Sequence, residues 1–145
     1  MANFRYPVLV RPDDGAFAAE VPDLEGCLTW GDSIDEALAH AREAVSLWLV
    51  DAAAGHGRVP PPSAIDTPYH VEPALDVWIP LLLRDRRIAI GATQKQVATA
   101  LGVTYQVYQR FESPLKGNMT LKTLTRVLAF LGMDVELVET KRPAA

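Results

Sequence analysis

The chain has 145 residues, of which 49% are hydrophobic and 22% charged, and its formal net charge at pH 7 is −4. This length predicts one ordinary domain or two small ones, with enough apolar side chains for a core. No apolar run is long enough to span a bilayer, the amino terminus has no secretory signal pattern, and the single cysteine, Cys27, excludes an intrachain disulfide and a thiolate metal site.

The charge is divided unevenly between two halves of the chain. Residues 1–75 hold four basic and twelve acidic residues, a net charge of −8, whereas residues 76–145 hold ten basic and six acidic residues, a net charge of +4. An acidic half attracts basic surfaces and a basic half attracts nucleic acid, although soluble domains also vary this much by chance. We therefore treat residues 1–75 and 76–145 as two domains.

Two turn signals divide the first thirty residues into three predicted strands. Phe4–Val10 and Phe17–Val21 form a hairpin, because the intervening Pro-Asp-Asp-Gly sequence at 12–15 favours a reversal. A second turn, Pro22–Gly26, leads into a short third strand at Cys27–Trp30.

A long helix follows and is the clearest element of the first half. Ser33 and Glu36 have the spacing of a capping box, and Gly55 and Gly57 mark the helix end. One apolar face recurs at helical spacing: Ile34, Ala37, Leu38, Ala41, Val45 and Trp48. A Gly/Pro-rich connection over residues 55–68 is predicted to be extended, and Tyr69–Ala74 is predicted to return to the sheet as a fourth strand. The first half is therefore β-β-β-α-β.

The second half begins with a predicted helix from Asp76, as its cap, to about Ile90. Pro80 lies one turn inside and is expected to distort its start. The apolar side of this helix comprises Val77, Leu81, Leu82 and Ile88.

Residues 93–113 have the pattern of a helix-turn-helix that docks in the major groove of DNA. The first helix spans Gln94–Leu101, Gly102 reverses the chain in the left-handed conformation, and Thr104 caps the second helix. The predicted inward side chains are Val97, Ala98, Leu101, Val103, Tyr108 and Phe111. A plain two-helix corner without DNA binding is the alternative.

The predicted DNA-binding residues lie on the outward side and its flanks. The amides of Gln106 and Gln109 suit adenine, Arg110 suits guanine or phosphate, and lysines suit phosphates, although each lysine has an equal claim to being a plain surface charge. Gln94 opens the first helix, where such a unit often contacts a phosphate. The set is Gln94, Lys95, Thr104, Tyr105, Gln106, Gln109, Arg110, Lys116, Asn118 and Lys122.

A last helix and a terminal strand complete the prediction. Thr120 caps the helix and Gly132 ends it, with a buried stripe of Leu121, Leu124, Val127, Leu128 and Leu131. Residues 134–139 alternate polar and apolar side chains, as a half-exposed strand does. Such a strand needs a partner, and pairing with its copy in a second subunit predicts a dimer.

The chain resembles the HicB antitoxin family. The resemblance is carried by Tyr6–Val8, Asp13–Gly15, the Val-Pro-Asp-Leu-Glu-Gly-Cys-Leu-Thr-Trp-Gly-Asp-Ser segment at 21–33, Glu36–Leu38 and Val59–Ser63. It covers about residues 4–138, and the second half resembles the version of the family whose DNA-binding part is a helix-turn-helix. The chain departs from the family pattern at Trp30, where a smaller polar residue is commoner, and at Pro80 in the leading helix.

The resemblance implies an α+β fold: an N-terminal β-β-β-α-β partial ribonuclease H-like domain without catalytic residues, then an all-α helix-turn-helix domain with a terminal β-strand. It implies a non-enzymatic antitoxin that covers the active site of HicA, a small basic ribonuclease that cleaves messenger RNA, and that represses its own operon as a dimer or tetramer on double-stranded operator DNA. A cytoplasmic setting is expected from the single cysteine, which suits a reducing compartment. No cofactor, metal or membrane is expected. The expected toxin-binding residues are Asp23, Glu25, Trp30 and Asp32.

Two other functions stay open from the residues themselves. One is a solitary regulator whose first half oligomerises or senses a ligand. The other is a nuclease, although the acidic residues of the first half fall in turns and on an exposed helix face rather than converging as two-metal chemistry requires.

Three histidines and two aromatic residues have weaker assignments. His40, His56 and His70 are too scattered to indicate a metal site or a catalytic triad, and Cys27 has no neighbour in sequence to activate it. Trp48 is expected in the core, and Trp30 fits equally a core residue and an exposed partner contact.

Overall fold

A computed structural model describes residues 4–55 and 58–141, and across them the fold is α+β, with one antiparallel sheet and five helices. The first half contains β1 (Tyr6–Asp13), β2 (Ala16–Glu20), β3 (Leu28–Gly31), α1 (Ile34–Ala54) and β4 (Tyr69–Val71). The second half contains α2 (Leu75–Ala89), α3 (Gln94–Leu101), α4 (Tyr105–Phe111) and α5 (Leu121–Leu131). His56 and Gly57 lie outside the described residues.

The sheet has the strand order β3-β2-β1-β4, with every pair antiparallel. β1 runs farther than the predicted Val10, since Asp13 pairs with Ala16 and only Asp14 and Gly15 form the turn. Both turn residues have positive φ, 47° and 81°, as the type I′ turn of a two-residue hairpin requires.

The helix α1 packs on one face of the sheet over the first core, in which Tyr6, Val8, Ala41 and Val45 are fully buried. Leu49, missing from the predicted apolar face, is also fully buried, and Trp48 is partly buried against the same core.

The start of α1 differs from the predicted capping box. Ser33 Oγ accepts from the Glu36 amide at 3.1 Å, as predicted, but the Glu36 carboxylate accepts from the Asp32 amide at 2.7 Å rather than from that of Ser33. The extended backbone at Ser33, with φ −136°, leaves the preceding amide to the glutamate.

The Pro-rich connection has neither helix nor strand over residues 58–67. The Tyr6 hydroxyl donates to the carbonyl of Pro60 at 2.7 Å, and the Ser63 amide donates to the Asp23 carboxylate at 2.8 Å. β4 is shorter than predicted because the Ala74 amide bonds to Ser46 Oγ of α1 and Ala74 already precedes α2.

The helix α2 contributes to both cores of the protein. Val77 and Leu81 belong to the first core, whereas Leu83 belongs to a second core built with α3, α4 and α5. Asp76 is not its cap: the N-cap is Ala74, without a side-chain hydrogen bond, and Asp76 lies in the first turn. Ile88, predicted to be buried, is 55% exposed, because it lies two turns beyond Leu81, where the first core has ended.

The last helix, α5, is bounded as predicted, by Thr120 as N-cap and by Gly132 in the left-handed conformation with φ 67°. Val127 and Leu131 are buried, but Leu121 is 83% exposed because the first turn projects beyond the second core.

The predicted terminal strand at 134–139 is wrong for the single chain. Residues 134–141 have neither helix nor strand, and Val135, Leu137 and Val138 are 56%, 93% and 74% exposed. A strand exists only where a neighbour completes its hydrogen bonds, and none of the described residues does so here.

Candidate nucleic-acid interface and partner surface

Local hydrogen bonds stabilise the start of α3, the turn that follows it and the start of α4. Thr93 and Gln96 form a complete capping box at the start of α3, which the sequence analysis missed. Gly102 has φ 70°, and the next amide, of Val103, donates back to the carbonyl of Ala98 at 3.0 Å. Thr104 Oγ1 accepts from the Val107 amide at 3.2 Å. The predicted left-handed Gly102 and the Thr104 cap are therefore confirmed.

The inward side of this helix pair is also as predicted. Ala98 is 3% exposed and belongs to the second core. Val97, Leu101, Tyr108 and Phe111 are buried with it, and Val103 is partly buried.

The outward side of α4 carries the predicted base-reading residues. Thr104, Tyr105, Gln106, Gln109 and Arg110 are all exposed. Among the described residues, no hydrogen bond or ion pair engages the side chains of Gln106, Gln109 or Arg110. Amide and guanidinium groups held on a rigid helix can make two-point hydrogen bonds with base edges.

The predicted flanking residues lie at the starts of α3, α4 and α5 and in the loop after α4. Gln94, Lys95 and Tyr105 line one shallow depression where α3 begins. Lys116 and Asn118 are exposed on either side of Gly117, which packs against the last turn of α4. Lys122 is exposed in the first turn of α5.

A buried polar cluster, which the sequence analysis missed, supports α4 from beneath. Glu112 is 5% exposed, and among the described residues it is the one charged residue that is buried. Its carboxylate accepts two hydrogen bonds from Arg87, at 2.5 and 3.0 Å, one from Tyr108 at 2.7 Å and one from Gln94 at 2.9 Å. Gln94, predicted to contact phosphate, therefore has its amide nitrogen committed to Glu112.

The cluster also raises the pKa of two of its members. The hydrogen bond to Glu112 raises the pKa of Arg87, and burial followed by the Glu112 hydrogen bond raises the pKa of Tyr108. One signal was available in the sequence: Glu112 follows Tyr108 by four residues and so points to the same inward face.

The four predicted toxin-binding residues lie before, within and after β3. Asp23 is engaged with the Ser63 amide, while Glu25 is exposed and its carbonyl accepts from the Trp48 indole at 3.0 Å. Both precede β3, whereas exposed Asp32 follows it. Trp30 is 47% exposed, and its indole donates to Asp13 at 2.8 Å.

Cys27 and the two described histidines lie in different environments. Cys27 is buried, and burial raises the pKa of its thiol. His40 Nδ1 lies 2.6 Å from the carbonyl of Trp30, and His70 is exposed in β4. Over residues 4–55 and 58–141, no group of three or more His, Cys, Asp or Glu side chains is arranged to hold a metal ion, and no helix is long and apolar enough to cross a membrane.

Comparison with known proteins relates both halves to one family. A model described as HicB_like antitoxin of bacterial toxin-antitoxin system matches residues 6–108, and a helix-turn-helix model matches residues 83–138. Antitoxin HicB 2 of Photorhabdus laumondii subsp. laumondii is 30% identical over 136 residues, covering 94% of this chain and 96% of that protein. Antitoxin HicB 1 of the same bacterium is 27% identical over 136 residues, 93% of this chain and 86% of that protein.

Proposed function

Since this chain belongs to the HicB-like antitoxin family and carries a helix-turn-helix, we propose that it neutralises a HicA-type, mRNA-cleaving toxin and represses its own operon. In this proposal residues 1–75 cover the toxin's active site, and residues 76–145 bind operator DNA. Both tasks belong to the bacterial cytoplasm, where messenger RNA and the operator are found.

The DNA-binding half of the proposal rests on the outward polar side chains of α4. Its outward glutamines and Arg110 have no intramolecular partners among the described residues, whereas the helix itself is held by the Thr104 cap and the Glu112 cluster. Rigid placement with unengaged polar groups is the arrangement that base recognition needs. We propose Gln106, Gln109 and Arg110 as base-edge contacts, and Lys95, Thr104, Tyr105, Lys116, Asn118 and Lys122 as flanking contacts. Gln94 is proposed to reach phosphate only through its remaining carbonyl oxygen or backbone.

The toxin-binding half is proposed to be a partial ribonuclease H-like domain that is not an enzyme. Support comes from the carboxylates that such chemistry would need, because several are engaged in structure: Asp13 with Trp30, Asp23 with Ser63, and Glu36 with the start of α1. A net charge of −8 in residues 1–75 suits a basic partner.

The repressor is proposed to act as a dimer, or as a tetramer of two dimers. Exposed Val135, Leu137 and Val138 support an intersubunit pairing of residues 134–139. A two-fold dimer requires half-sites about 34–36 Å apart, or a multiple of this distance.

Operator binding is tested with the double variant Gln106→Ala/Gln109→Ala on a fragment of the protein's own promoter. We expect operator affinity to fall by at least about 30-fold, since two base contacts of about 1–3 kcal/mol each are removed. Toxin affinity of the same variant serves as the control and is expected to stay unchanged. Unaltered operator affinity would show that α4 is not the reading helix.

A further inference from the structure

The face of the sheet opposite α1 carries large hydrophobic side chains. Leu9, Leu28 and Trp30 are 39%, 38% and 47% exposed. They belong to one face, because Leu9 and Leu28 both pair with Glu20, and Trp30 lies two residues along β3 from Leu28. An uncovered sheet face ordinarily presents polar residues to water, so this one has the composition of a binding surface.

The Trp30 side chain is anchored on this face by a hydrogen bond. Its Nε1 donates to Asp13 of β1, so the indole must cross β2, whose outward residues there are Ala16 and Ala18. Ala18 is 0% exposed although it is not part of the first core, which agrees with an indole lying over it. The Trp30 carbonyl is also engaged, with His40 Nδ1 at 2.6 Å. A tryptophan fixed before binding loses little entropy when a partner covers it.

The charges around the indole are mainly acidic. Arg11 and Glu20 form a solvent-exposed pair at 3.5 Å, which leaves the Asp13 carboxylate and the neighbouring Asp14 without a cation within ion-pair distance among the described residues. An apolar centre with an acidic rim suits a basic partner. It disfavours a second copy of the same face, since two acidic rims would repel each other.

We propose that this face, centred on Trp30 with Leu9, Leu28, Asp13 and Glu20, is where the antitoxin binds a basic toxin protein. The inference rests on the proposed function and specifies its toxin-binding site. It retains only Trp30 of the four residues expected from the sequence, since Asp23 is occupied by the Pro-rich connection. The partner presents apolar side chains to the indole and Lys or Arg side chains to Asp13.

The test measures binding of the full-length chain to the toxin protein encoded beside its gene, by calorimetry. Trp30→Ala is expected to weaken binding by at least about 30-fold, as truncation of a central aromatic anchor does. Leu28→Arg should weaken it at least as much, because it adds a positive charge facing a basic partner. The matched control is Leu47→Arg on α1, which is 70% exposed and away from this face; we expect it to bind like the unaltered chain.

Two substitutions of Asp13 separate its two proposed roles, which are to position the indole by a hydrogen bond and to attract a basic partner by its charge. Asp13→Asn keeps an oxygen acceptor for the indole but removes the charge, so it should weaken binding less than Asp13→Ala and flatten its salt dependence. Equal losses in the two variants would contradict the positioning role of the hydrogen bond.

The results distinguish this inference from the function on which it rests. If the unaltered chain does not bind the toxin, the proposed function fails and the inference fails with it. If it binds, and Trp30→Ala and Leu28→Arg, folded by circular dichroism, bind equally well, only the inference is overturned. Loss of self-association by Trp30→Ala in light scattering would instead assign the face to a second copy and also overturn it.

Discussion

The guanidinium of Arg87 and the carboxylate of Glu112 form a two-point ion pair that ties the end of α2 to the end of α4. Nε lies 2.5 Å from Oε1 and Nη2 lies 3.0 Å from Oε2, and the two side chains are only 13% and 2% exposed. Arg87 also donates to the carbonyl of Ala92 just before α3. Arg87 thus links the end of α2 to the start of α3 and to the end of α4.

Removal of Glu112 should destabilise the protein strongly. Glu112→Ala leaves the Arg87 guanidinium largely buried without its partner, and such a loss costs about 3–5 kcal/mol in the free energy of unfolding. The matched control is Glu20→Ala, which breaks the pair with Arg11, in which the side chains are 56% and 46% exposed; it should cost no more than about 1 kcal/mol. Urea denaturation measures both, and equal losses would contradict a structural role for the buried pair.

Stability should decline at alkaline pH. Burial is the main cause that raises the pKa of Tyr6 and Tyr108 above the ordinary value near 10. The unfolded chain therefore releases these protons near pH 10 while the folded chain keeps them, so stability is complete below pH 10 and falls as the pH rises further. The slope is about 1.4 kcal/mol per pH unit for each tyrosine.

The tyrosine origin of this slope is checked with Tyr108→Phe, which cannot ionise. Urea denaturation between pH 8 and pH 11 should show a shallower decline for the variant, whatever its stability at pH 8. An identical slope would mean that Tyr108 does not contribute.

Gly31 is required by the close approach of β3 and α1. A Cβ atom there would lie 2.4 Å from the amide nitrogen of Ala37. Gly31→Ala should therefore destabilise the first core by about 1–3 kcal/mol, the usual cost of overpacking. At Gly55 a Cβ atom would lie 3.7 Å from the carbonyl oxygen of Ala52, an ordinary contact, so Gly55→Ala should change stability by less than about 0.5 kcal/mol. Thermal denaturation of both variants tests this. If Gly31→Ala were as stable as the unaltered protein, the close approach of β3 and α1 would be contradicted.

Phosphate contacts should be recognisable from the salt dependence of operator binding. If Lys122 neutralises one phosphate, Lys122→Ala reduces the slope of log affinity against log salt concentration by about 0.9. Lys141, exposed beyond α5, is the matched control and should leave the slope unchanged when replaced by alanine. A slope that is the same for all three proteins would exclude Lys122 from the DNA contacts.

Features fixed by neighbouring residues could be predicted from the sequence. The caps Ser33, Thr104 and Thr120 and the left-handed Gly102 and Gly132 act over three or four residues, so their patterns are visible in the chain. The helix-turn-helix and its inward side chains were predicted for this reason.

Features that join distant residues could not be predicted. Arg87 and Glu112 are 25 residues apart and Asp13 and Trp30 are 17 apart, so only the packed structure brings them together. The burial of Ile88 and Leu121 was predicted wrongly because helical spacing identifies a face but not where the opposing core ends. The strand at 134–139 was wrong for the single chain because its hydrogen-bonding partner would have to come from another molecule.

The most direct test of the antitoxin assignment is a growth measurement in cells that express the neighbouring toxin gene. Co-expression of the unaltered chain should restore growth, and so should the Gln106→Ala/Gln109→Ala variant under a foreign promoter, because neutralisation belongs to the other half of the chain. Continued growth arrest in the presence of the stably produced, folded protein would contradict the assignment and favour a solitary regulator.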